Sequence, residues 1–219
     1  MNLVTVICHD LGRYLGCYGI PGVRSPHIDH FAEQGLLLKN AFCVAPQCSP
    51  SRAAMWTGRY PHANGVVGLC HGPHQNDLHP DELHLARTLK RNGYTTWLFG
   101  GQHETRDTSR LEFDFVAPES QRYSGPLAER FAAHLETHDK AEPFFAEICF
   151  FEPHRDFPRA DDVEVQPADE VHIPPYLPAL DVVREDMADF EASIASMDRS
   201  FGRILDAIAG FRGGLDSVR

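Results

Sequence analysis

Short apolar runs alternate with amphipathic segments along this chain, and that alternation constrains the fold more than any other feature. Residues 3–8, 94–99 and 143–151 are apolar runs of the length typical of buried strands. Helical patterns lie between and after them, at residues 25–35, 48–58, 81–93, 127–135 and 183–209. Strands that alternate with helices at this spacing predict an α/β fold, a mostly parallel sheet sandwiched by helices.

Two segments between these elements carry further expectations. Residues 36–42 form another apolar stretch, which predicts an extended segment. Residues 153–178 are rich in proline and lack periodicity, which predicts a long loop of the kind that often carries function. At the helix starts, Ser25 and Ser49 are expected as N-caps, each followed by a proline in the first turn.

The charge balance and the N-terminus limit the classes of function. The 219 residues include 20 Lys and Arg against 31 Asp and Glu, a net charge of −11. This acidic excess argues against a general nucleic-acid binder, because phosphate contacts need clustered basic side chains. No run approaches the roughly 18 apolar residues of a membrane span, and the first residues lack the basic segment and cleavage site of a signal peptide. We therefore expect a cytoplasmic protein with neither a nucleic-acid nor a membrane partner.

The six cysteines do not form the pattern of a disulfide scaffold. Such scaffolds belong to short secreted chains, whereas a cytoplasmic setting keeps thiols reduced. Cys8 and Cys149 lie inside apolar runs and are expected to be small buried side chains. Cys48 differs, because a helical pattern begins at this residue.

The segment 48–59, Cys-Ser-Pro-Ser-Arg-Ala-Ala-Met-Trp-Thr-Gly-Arg, is the most informative part of the sequence. Gly58 favours a helix end, and Cys48 then lies at the helix N-terminus, where free N–H groups and the helix dipole favour negative charge. Arg52 adds a permanent cation whose planar fork suits an oxyanion. A nucleophile, a helix N-terminus and an arginine thus converge, an arrangement that suits a substrate bearing sulfate or phosphate.

Residues 48–52, together with Thr-Gly-Arg at 57–59, resemble the signature of the sulfatase family, a branch of the alkaline-phosphatase-like superfamily. The resemblance implies that a formylglycine-generating enzyme oxidises Cys48 to formylglycine. The hydrate of this aldehyde would attack sulfur, after which the aldehyde re-forms and expels sulfate. The resemblance also implies a divalent metal, normally calcium, and a small anionic sulfated substrate such as a sulfated sugar. Arg52 would stabilise the modified side chain and the metal-bound oxygens.

The start of the chain extends the resemblance to the metal site. Residues 2–10 resemble the opening strand of the family, whose end carries metal-binding acids. The resemblance therefore implies that Asp10, His9 and Cys48 are metal ligands.

Two later segments resemble the parts of the family that supply active-site histidines. With them, the resemblance covers essentially the whole chain, and it is closest to sulfamidase-like members. They are residues 93–103 and residues 152–155. The resemblance implies that His103 and His154 protonate the leaving oxygen, a task that suits an imidazole near neutrality.

The sequence departs from the family pattern at three places. His9 and Asp10 stand where two adjacent acids bind calcium, and an imidazole permits a softer ion such as zinc or manganese. Gly101 stands where the family has an active-site lysine, so this cation is missing. The later metal motif and a C-terminal subdomain are absent. We therefore expect residues 1–219 to be the N-terminal portion of a sulfatase catalytic domain, truncated at its C-terminus, and the activity of the chain alone stays open.

Three alternatives to sulfate ester hydrolysis remain. The same fold can hydrolyse phosphate or phosphonate esters, because a helix N-terminus with an arginine accepts either anion. The chain can also be a catalytically silent sulfatase fragment. The third alternative is a structural zinc-binding module, for which the spacing is awkward; its ligands would come from Cys43, Cys48, Cys70, His71 and His74.

Overall fold

The computed structural model describes residues 1–71, 73, 76–118, 121–138 and 142–211. Within these residues the strands are β1 (Leu3–Ile7), β2 (Thr95–Gly100), β3 (Phe115–Val116) and β4 (Phe144–Cys149). The helices are α1 (Pro26–Gln34), α2 (Cys48–Thr57), α3 (Pro61–Asn64), α4 (Leu85–Arg91), α5 (Ser124–Thr137) and α6 (Asp181–Gly210). Two short 3₁₀ turns, Gly16–Tyr18 and Thr108–Leu111, complete the regular structure.

The strands form one parallel sheet in the order β1-β4-β2-β3, which confirms the predicted fold class. In register, Val4 lies opposite Ala146 on β4, and Leu98 on β2 lies opposite Glu147 on β4. Because all strands run in the same direction, their carboxyl ends meet at one edge of the sheet. The segments that follow β1, β2 and β4 therefore lie side by side.

Side-chain alternation along β4 separates two packed layers. Phe144, Ala146 and Ile148 belong to the main core, which is covered by α5 and α6. Phe145 belongs instead to the smaller core that contains Trp56 of α2 and Ala86 of α4. Because successive side chains of a strand point to opposite faces, Glu147 also lies on the α2 side of the sheet. Helices therefore cover both faces, as the sequence predicts.

Most predicted elements are confirmed, with small shifts at their ends. The apolar runs become β1, β2 and β4, and the five helical patterns correspond to α1, α2, α4, α5 and α6. The predicted loop at 153–178 contains no helix or strand. Two elements escaped prediction, because a strand of two residues and a helix of four are too short to show a period: these are β3 and α3.

The prediction for residues 36–42 is wrong. The segment contains no strand, and Leu36 and Phe42 are 85% and 89% exposed. A buried strand needs a neighbour that pairs with its backbone groups, and no described strand lies beside this segment. Its apolar side chains consequently face outward.

Helix starts also differ from expectation. The Ser25 side chain makes no cap bond; the backbone N–H groups of His27 and Ile28 donate instead to the Asp198 carboxylate of α6, over 3.1 and 2.8 Å. Helix α2 begins at Cys48, so Ser49 is not its N-cap; the buried Ser49 hydroxyl accepts a hydrogen bond from the Cys70 N–H.

Helix α4 begins later than the acidic pair at 81–82 suggests. His84 precedes its first residue, and the His84 Nδ1 atom accepts a hydrogen bond from the Ala86 N–H over 3.1 Å. A side-chain acceptor at this position satisfies a backbone donor that the first helical turn leaves unpaired. The helix therefore starts at Leu85.

Helix α6 is the longest element, with 30 residues. One of its faces packs against α5 and α1 and contributes Ile194, Met197 and Ile204 to the main core. Taking all helices of the described ranges together, none has the length and apolar character needed to cross a bilayer. Residues 212–219, which include a glycine pair at 213–214, lie outside the described residues.

Candidate active site

The carboxyl edge of the sheet brings together the residues predicted at the ends of β1, β2 and β4. The His9 ring lies 5.1 Å from the His103 ring and 5.8 Å from the His154 ring, between ring centroids. The Nε2 atom of His154 lies 3.6 Å from Oδ2 of Asp10. Four residues that are far apart in sequence therefore form one cluster, and their catalytic and metal-binding roles stay predictions.

A buried glutamate fixes the segment that carries His154. The backbone N–H of His9 donates to the Glu152 carbonyl over 3.1 Å, which ties the end of β1 to this segment. The Glu152 carboxylate accepts hydrogen bonds from the N–H and hydroxyl of Ser124, at the start of α5. Burial raises the pKa of Glu152, whereas these hydrogen bonds lower it. The resemblance includes Glu152 in a motif but did not predict this anchoring role.

Cys48 is the first residue of α2 and is half-buried. The segment containing Cys70 is held against this helix start by the hydrogen bond from Cys70 to Ser49, 3.2 Å long. Burial raises the pKa of the Cys70 thiol to about 11, and the nearby Asp77, Glu104 and Cys48 add to the rise. Cys48 therefore lies beside a thiol that stays protonated at neutral pH.

Arg52 does not stand free in the site. Its Nε donates to Oε1 of Glu104 over 2.7 Å, and its Nη2 donates to Oε1 of Glu147 over 3.0 Å and to the Cys149 sulfur over 2.8 Å. Arg52 is 5% exposed, and the other three residues are at most 1% exposed. We call Arg52, Glu104, Glu147 and Cys149 the buried cluster.

Glu104 also connects the buried cluster to a predicted catalytic residue. Its Oε2 accepts a hydrogen bond from the His103 N–H over 3.0 Å. The Gln102 side-chain oxygen accepts from the N–H groups of Glu104 and Thr105, which fixes the turn after β2. The guanidinium of Arg52 and the backbone of His103 are thus held by one carboxylate.

Sequence reasoning missed the acidic members of the buried cluster. Glu147 gave a signal, because it is the one charged residue within an apolar run that predicts a strand. A buried charge is expected to be paired, so this residue implied a cationic partner on the same face of the sheet. Glu104 gave no comparable signal, because it follows His103 in a polar segment.

The pKa values of two histidines are strongly lowered. Burial lowers the pKa of His9 to about 3 and that of His103 to about 4, and the positive charge of Arg52 contributes in both cases. Both imidazoles are therefore neutral at pH 7. The Nδ1 atom of His103 is buried and has no hydrogen-bond partner within the described part of the chain.

The buried cluster carries one proton more than its residue types suggest. Burial raises the pKa of Glu147 to about 8, and the neighbouring Glu104 raises it further, against the effect of Arg52. Glu147 is then largely protonated at neutral pH, whereas Glu104 remains a partner of Arg52. The proton on Glu147 thus removes one negative charge from the surroundings of Arg52.

The described residues do not assemble a calcium site. Calcium takes six to eight oxygen ligands, whereas this edge offers the Asp10 carboxylate and neutral imidazoles. Over the described ranges, no group of three or more His, Cys, Asp or Glu side chains converges on a point where a metal ion could be held. The same finding gives no support to a zinc module built on Cys43, Cys48, Cys70 and His71, and His74 lies outside the described residues.

Two cavities flank the histidine cluster. A polar cavity of about 360 Å³ includes His71 and His103 in its lining. A cavity of about 500 Å³ on the other side runs past Asp10 along the loop at 153–178. Its lining includes Arg155, which is paired with the Asp186 carboxylate through two hydrogen bonds of 2.7 and 2.6 Å.

Curated relatives with similar sequences are sulfatases. Human N-sulphoglucosamine sulphohydrolase is 27% identical over 94% of this chain and 47% of its own length. Mouse steryl-sulfatase is 40% identical, over 47% of this chain and 18% of its own length. The chain thus spans less than half of either relative.

Solved structures share the fold over almost the whole chain. The putative sulfatase yidJ from Bacteroides fragilis has a TM-score of 0.82 at 22% identity, over 99% of this chain and 60% of its own. A structure in complex with its substrate D-glucosamine-2-N,6-O-disulfate has a TM-score of 0.77 at 17% identity, over 99% and 63%. The phosphonate monoester hydrolase of Agrobacterium radiobacter has a TM-score of 0.71 at 19% identity, over 99% and 60%.

The family model Sulfatase matches residues 1–211, nearly the whole chain. Members of this family are hydrolases, and they generally use a formylglycine and a divalent metal. With the shared fold and the clustered motif residues, this match establishes that the chain belongs to the sulfatase family.

Proposed function

We propose that this chain carries the nucleophile half of a sulfatase that hydrolyses sulfate esters or sulfamates at a formylglycine made from Cys48. The observation that carries the proposal is the position of Cys48 as the first residue of α2, with Arg52 one turn further on and joined through Glu104 to His103. At a helix N-terminus, free N–H groups and the helix dipole favour an anion. Residue 48 is therefore placed where a tetrahedral oxyanion is stabilised.

The modification supplies the nucleophile: a hydroxyl of the formylglycine hydrate takes the sulfuryl group and later releases sulfate as the aldehyde returns. The formylglycine-generating enzyme is accordingly a required partner. Arg52 acts by position, because its paired and buried guanidinium holds the first turn of α2 and adds positive charge next to residue 48.

The alcohol or amine that leaves needs a proton. His154 is the better candidate, because it is half exposed and its Nε2 faces the Asp10 carboxylate at 3.6 Å. His103 has a pKa lowered to about 4 by burial and is neutral at pH 7. It is therefore better suited to hydrogen bonding with the substrate than to donating a proton as an imidazolium.

The family implies a divalent metal, and we assign no reaction step to this metal. The predicted ligands that lie at the edge are Asp10, with a carboxylate oxygen, and His9, with an imidazole nitrogen, and residue 48 is the third. This mixed set suits a softer ion such as zinc or manganese better than calcium. Further ligands have to come from outside the described residues.

A sulfated sugar is the proposed substrate class. Two findings support it: a relative named for N-sulphoglucosamine, matched over 94% of the chain, and a similar fold solved with a disulfated glucosamine. The phosphonate monoester hydrolase neighbour makes phosphonate turnover the alternative to test. We also propose that the protein is cytoplasmic. Residues 1–219 then correspond to the N-terminal portion of a catalytic domain.

Turnover by the chain coexpressed with a formylglycine-generating enzyme tests the proposal. We expect hydrolysis of 4-nitrophenyl sulfate and of a glucosamine sulfamate to exceed that of phenyl phosphonate. Cys48→Ala abolishes it, a loss of at least about 10³-fold for a missing nucleophile. Cys43→Ala is the matched control, since Cys43 is exposed and close in sequence, and we expect it to retain activity.

Two results contradict the proposal. Faster turnover of the phosphonate than of both sulfuryl substrates would assign the chain to the alternative chemistry. Absence of all turnover after Cys48 has been converted would identify a catalytically silent fragment.

A further inference from the structure

The polar cavity beside His103 differs in charge from the rest of this acidic chain. Among the described residues that line it, the titratable side chains are His71, His103, Arg106, Arg122 and the Cys70 thiol, and none is an Asp or Glu. The whole sequence has 31 acidic against 20 basic residues. A cavity lined by arginines and imidazoles, without a carboxylate, is built for an anion.

The two arginines are available for a ligand. Arg106 and Arg122 are exposed, and neither forms an ion pair with a carboxylate of the described residues. Half of the described arginines outside the buried cluster do form such pairs, for example with Glu82, Asp77 and Asp186. An unpaired arginine next to a cavity can offer its whole fork of donors to an oxyanion.

The cavity wall is preformed. The guanidinium of Arg122 stacks over the Phe151 ring at 4.4 Å from the centroid, which restricts its orientation. The Gln102 side-chain amide donates to the Thr105 carbonyl and to the Thr108 hydroxyl, both over 2.9 Å, and so closes the loop that carries Arg106. Groups held in this way lose little conformational entropy when a ligand binds.

The cavity lies beside Cys48 rather than at it. Its lining includes Cys70, which is hydrogen-bonded to the first turn of α2, and does not include Cys48. His71 and His103, whose rings are 4.9 Å apart, stand on the same wall. An anion held by the arginines is therefore a different group from the one presented to residue 48.

We propose that this cavity binds a second anionic group of the sugar, a sulfate or a carboxylate, and that Arg106 and Arg122 select substrates that carry it. This inference rests on the proposed function for the identity of the substrate, and it adds the charge pattern of that substrate. A sugar with one sulfate fills only the position at residue 48, whereas a disulfated sugar also reaches the arginines.

Calorimetric titration of the full chain at low ionic strength tests the inference without requiring turnover. The probes are D-glucosamine-2-N,6-O-disulfate, D-glucosamine 6-O-sulfate and inorganic sulfate. We expect the disulfated sugar to bind about 10-fold more tightly than the monosulfated one, the gain of a charge-assisted hydrogen bond. In the double variant Arg106→Gln, Arg122→Met this difference falls to about 2-fold or less, and it also shrinks as salt is added.

Arg91→Gln is the matched control, because Arg91 is exposed on α4 and does not line the cavity. We expect it to leave all three affinities unchanged, with each variant retaining the thermal transition of the parent. Equal affinities for the two sugars, no binding of either, or a double variant that keeps the difference would overturn the inference. If Cys48 remained a thiol, only the proposed hydrolase function would be contradicted, because the binding that depends on the arginines is measured separately.

Discussion

The candidate site has one closed half and one open half. In the buried cluster, Arg52 meets two carboxyl groups and a thiol, and every member is at most 5% exposed. At the end of β1, the pair of Asp10 and His154 is 3.6 Å apart, and its side chains are 63% and 42% exposed. We call this pair the open edge.

The difference shows which part of the site keeps its geometry through the fold alone, without a bound ligand. Charges taken out of water must be paired, so the buried cluster keeps its geometry without a ligand and depends on each of its members. Exposed charges are screened and solvated, so the open edge gains its order from whatever binds there. Stability is thus concentrated around Arg52, and the capacity to respond to a ligand is concentrated at Asp10 and His154.

Removal of the arginine from the buried cluster tests this contrast with the largest expected effect. Arg52→Met leaves Glu104 and Glu147 buried without a cation, which should lower the free energy of unfolding by about 3–5 kcal/mol. Arg155→Met removes an equally well-formed but exposed pair with Asp186, and we expect little change. Urea unfolding measures both.

Two further substitutions test whether the unpaired charge causes the loss of stability. When Glu104→Gln and Glu147→Gln are added to Arg52→Met, the unpaired charge disappears, and part of the lost stability should return. Equal losses for Arg52→Met and Arg155→Met would contradict the division of the site into two halves.

The proton on Glu147 gives a smaller, pH-dependent effect. Burial raises the pKa of this carboxyl from 4.5 to about 8 in the folded chain. Between these values the folded state binds the proton more tightly than the unfolded state, so the contribution of Glu147 to stability falls as pH rises. Glu147→Gln has no proton to lose and should gain stability over the parent by about 1.4 kcal/mol per pH unit between these values, with the difference vanishing below pH 4.5.

Unfolding free energies measured from pH 5 to 8 decide the point. Glu129→Gln is the control, because this side chain is 74% exposed and we expect it to shift no part of the profile. A parent and a Glu147→Gln variant with parallel pH profiles would show that Glu147 is ionised when buried.

Gly101 allows a cation to be added to the cavity wall. A Cβ at this position would meet only the His103 Nε2 atom at 3.9 Å, an ordinary contact. Gly101→Lys should therefore fold and bind inorganic sulfate about 3-fold more tightly than Gly101→Met, the size of an exposed charge pair. Titration followed by the His103 amide resonance measures the affinities, and equal values would place Gly101 away from the bound anion.

Calcium should have the smallest effect. Because the described residues at the open edge supply one carboxylate, millimolar calcium should leave the melting temperature unchanged, both in the parent and in Asp10→Asn. A rise of several degrees that disappears in Asp10→Asn would contradict this expectation and show a more complete ligand set.

The sequence predicts the sheet and its helices from hydrophobic patterns, and it predicts the motif residues from a family resemblance. Apolar runs and helical periods mark the elements, and parallel strands bring their carboxyl ends to one edge, which places His9, His103 and His154 together. The elements follow from spacing along the chain, whereas the choice of these three histidines came from the resemblance to the family.

The remaining parts depend on neighbours that spacing does not reveal. Residues 36–42 are apolar but lie beside no described strand. Their hydrophobicity suggested a buried segment, whereas Leu36 and Phe42 are exposed. The partners of Arg52 come from two other segments, and a motif that contains Arg52 does not name them. The lowered pKa of His103 likewise follows from burial in the folded chain.

The central claim is that residue 48 changes from a thiol to an aldehyde at the start of α2. After coexpression with a formylglycine-generating enzyme, mass spectrometry of the tryptic peptide 40–52 tests it directly, because this peptide also contains the exposed Cys43 as an internal reference. We expect an aldehyde at Cys48, trapped by a hydrazide, and an alkylated thiol at Cys43. A peptide in which both cysteines are alkylated would contradict the account.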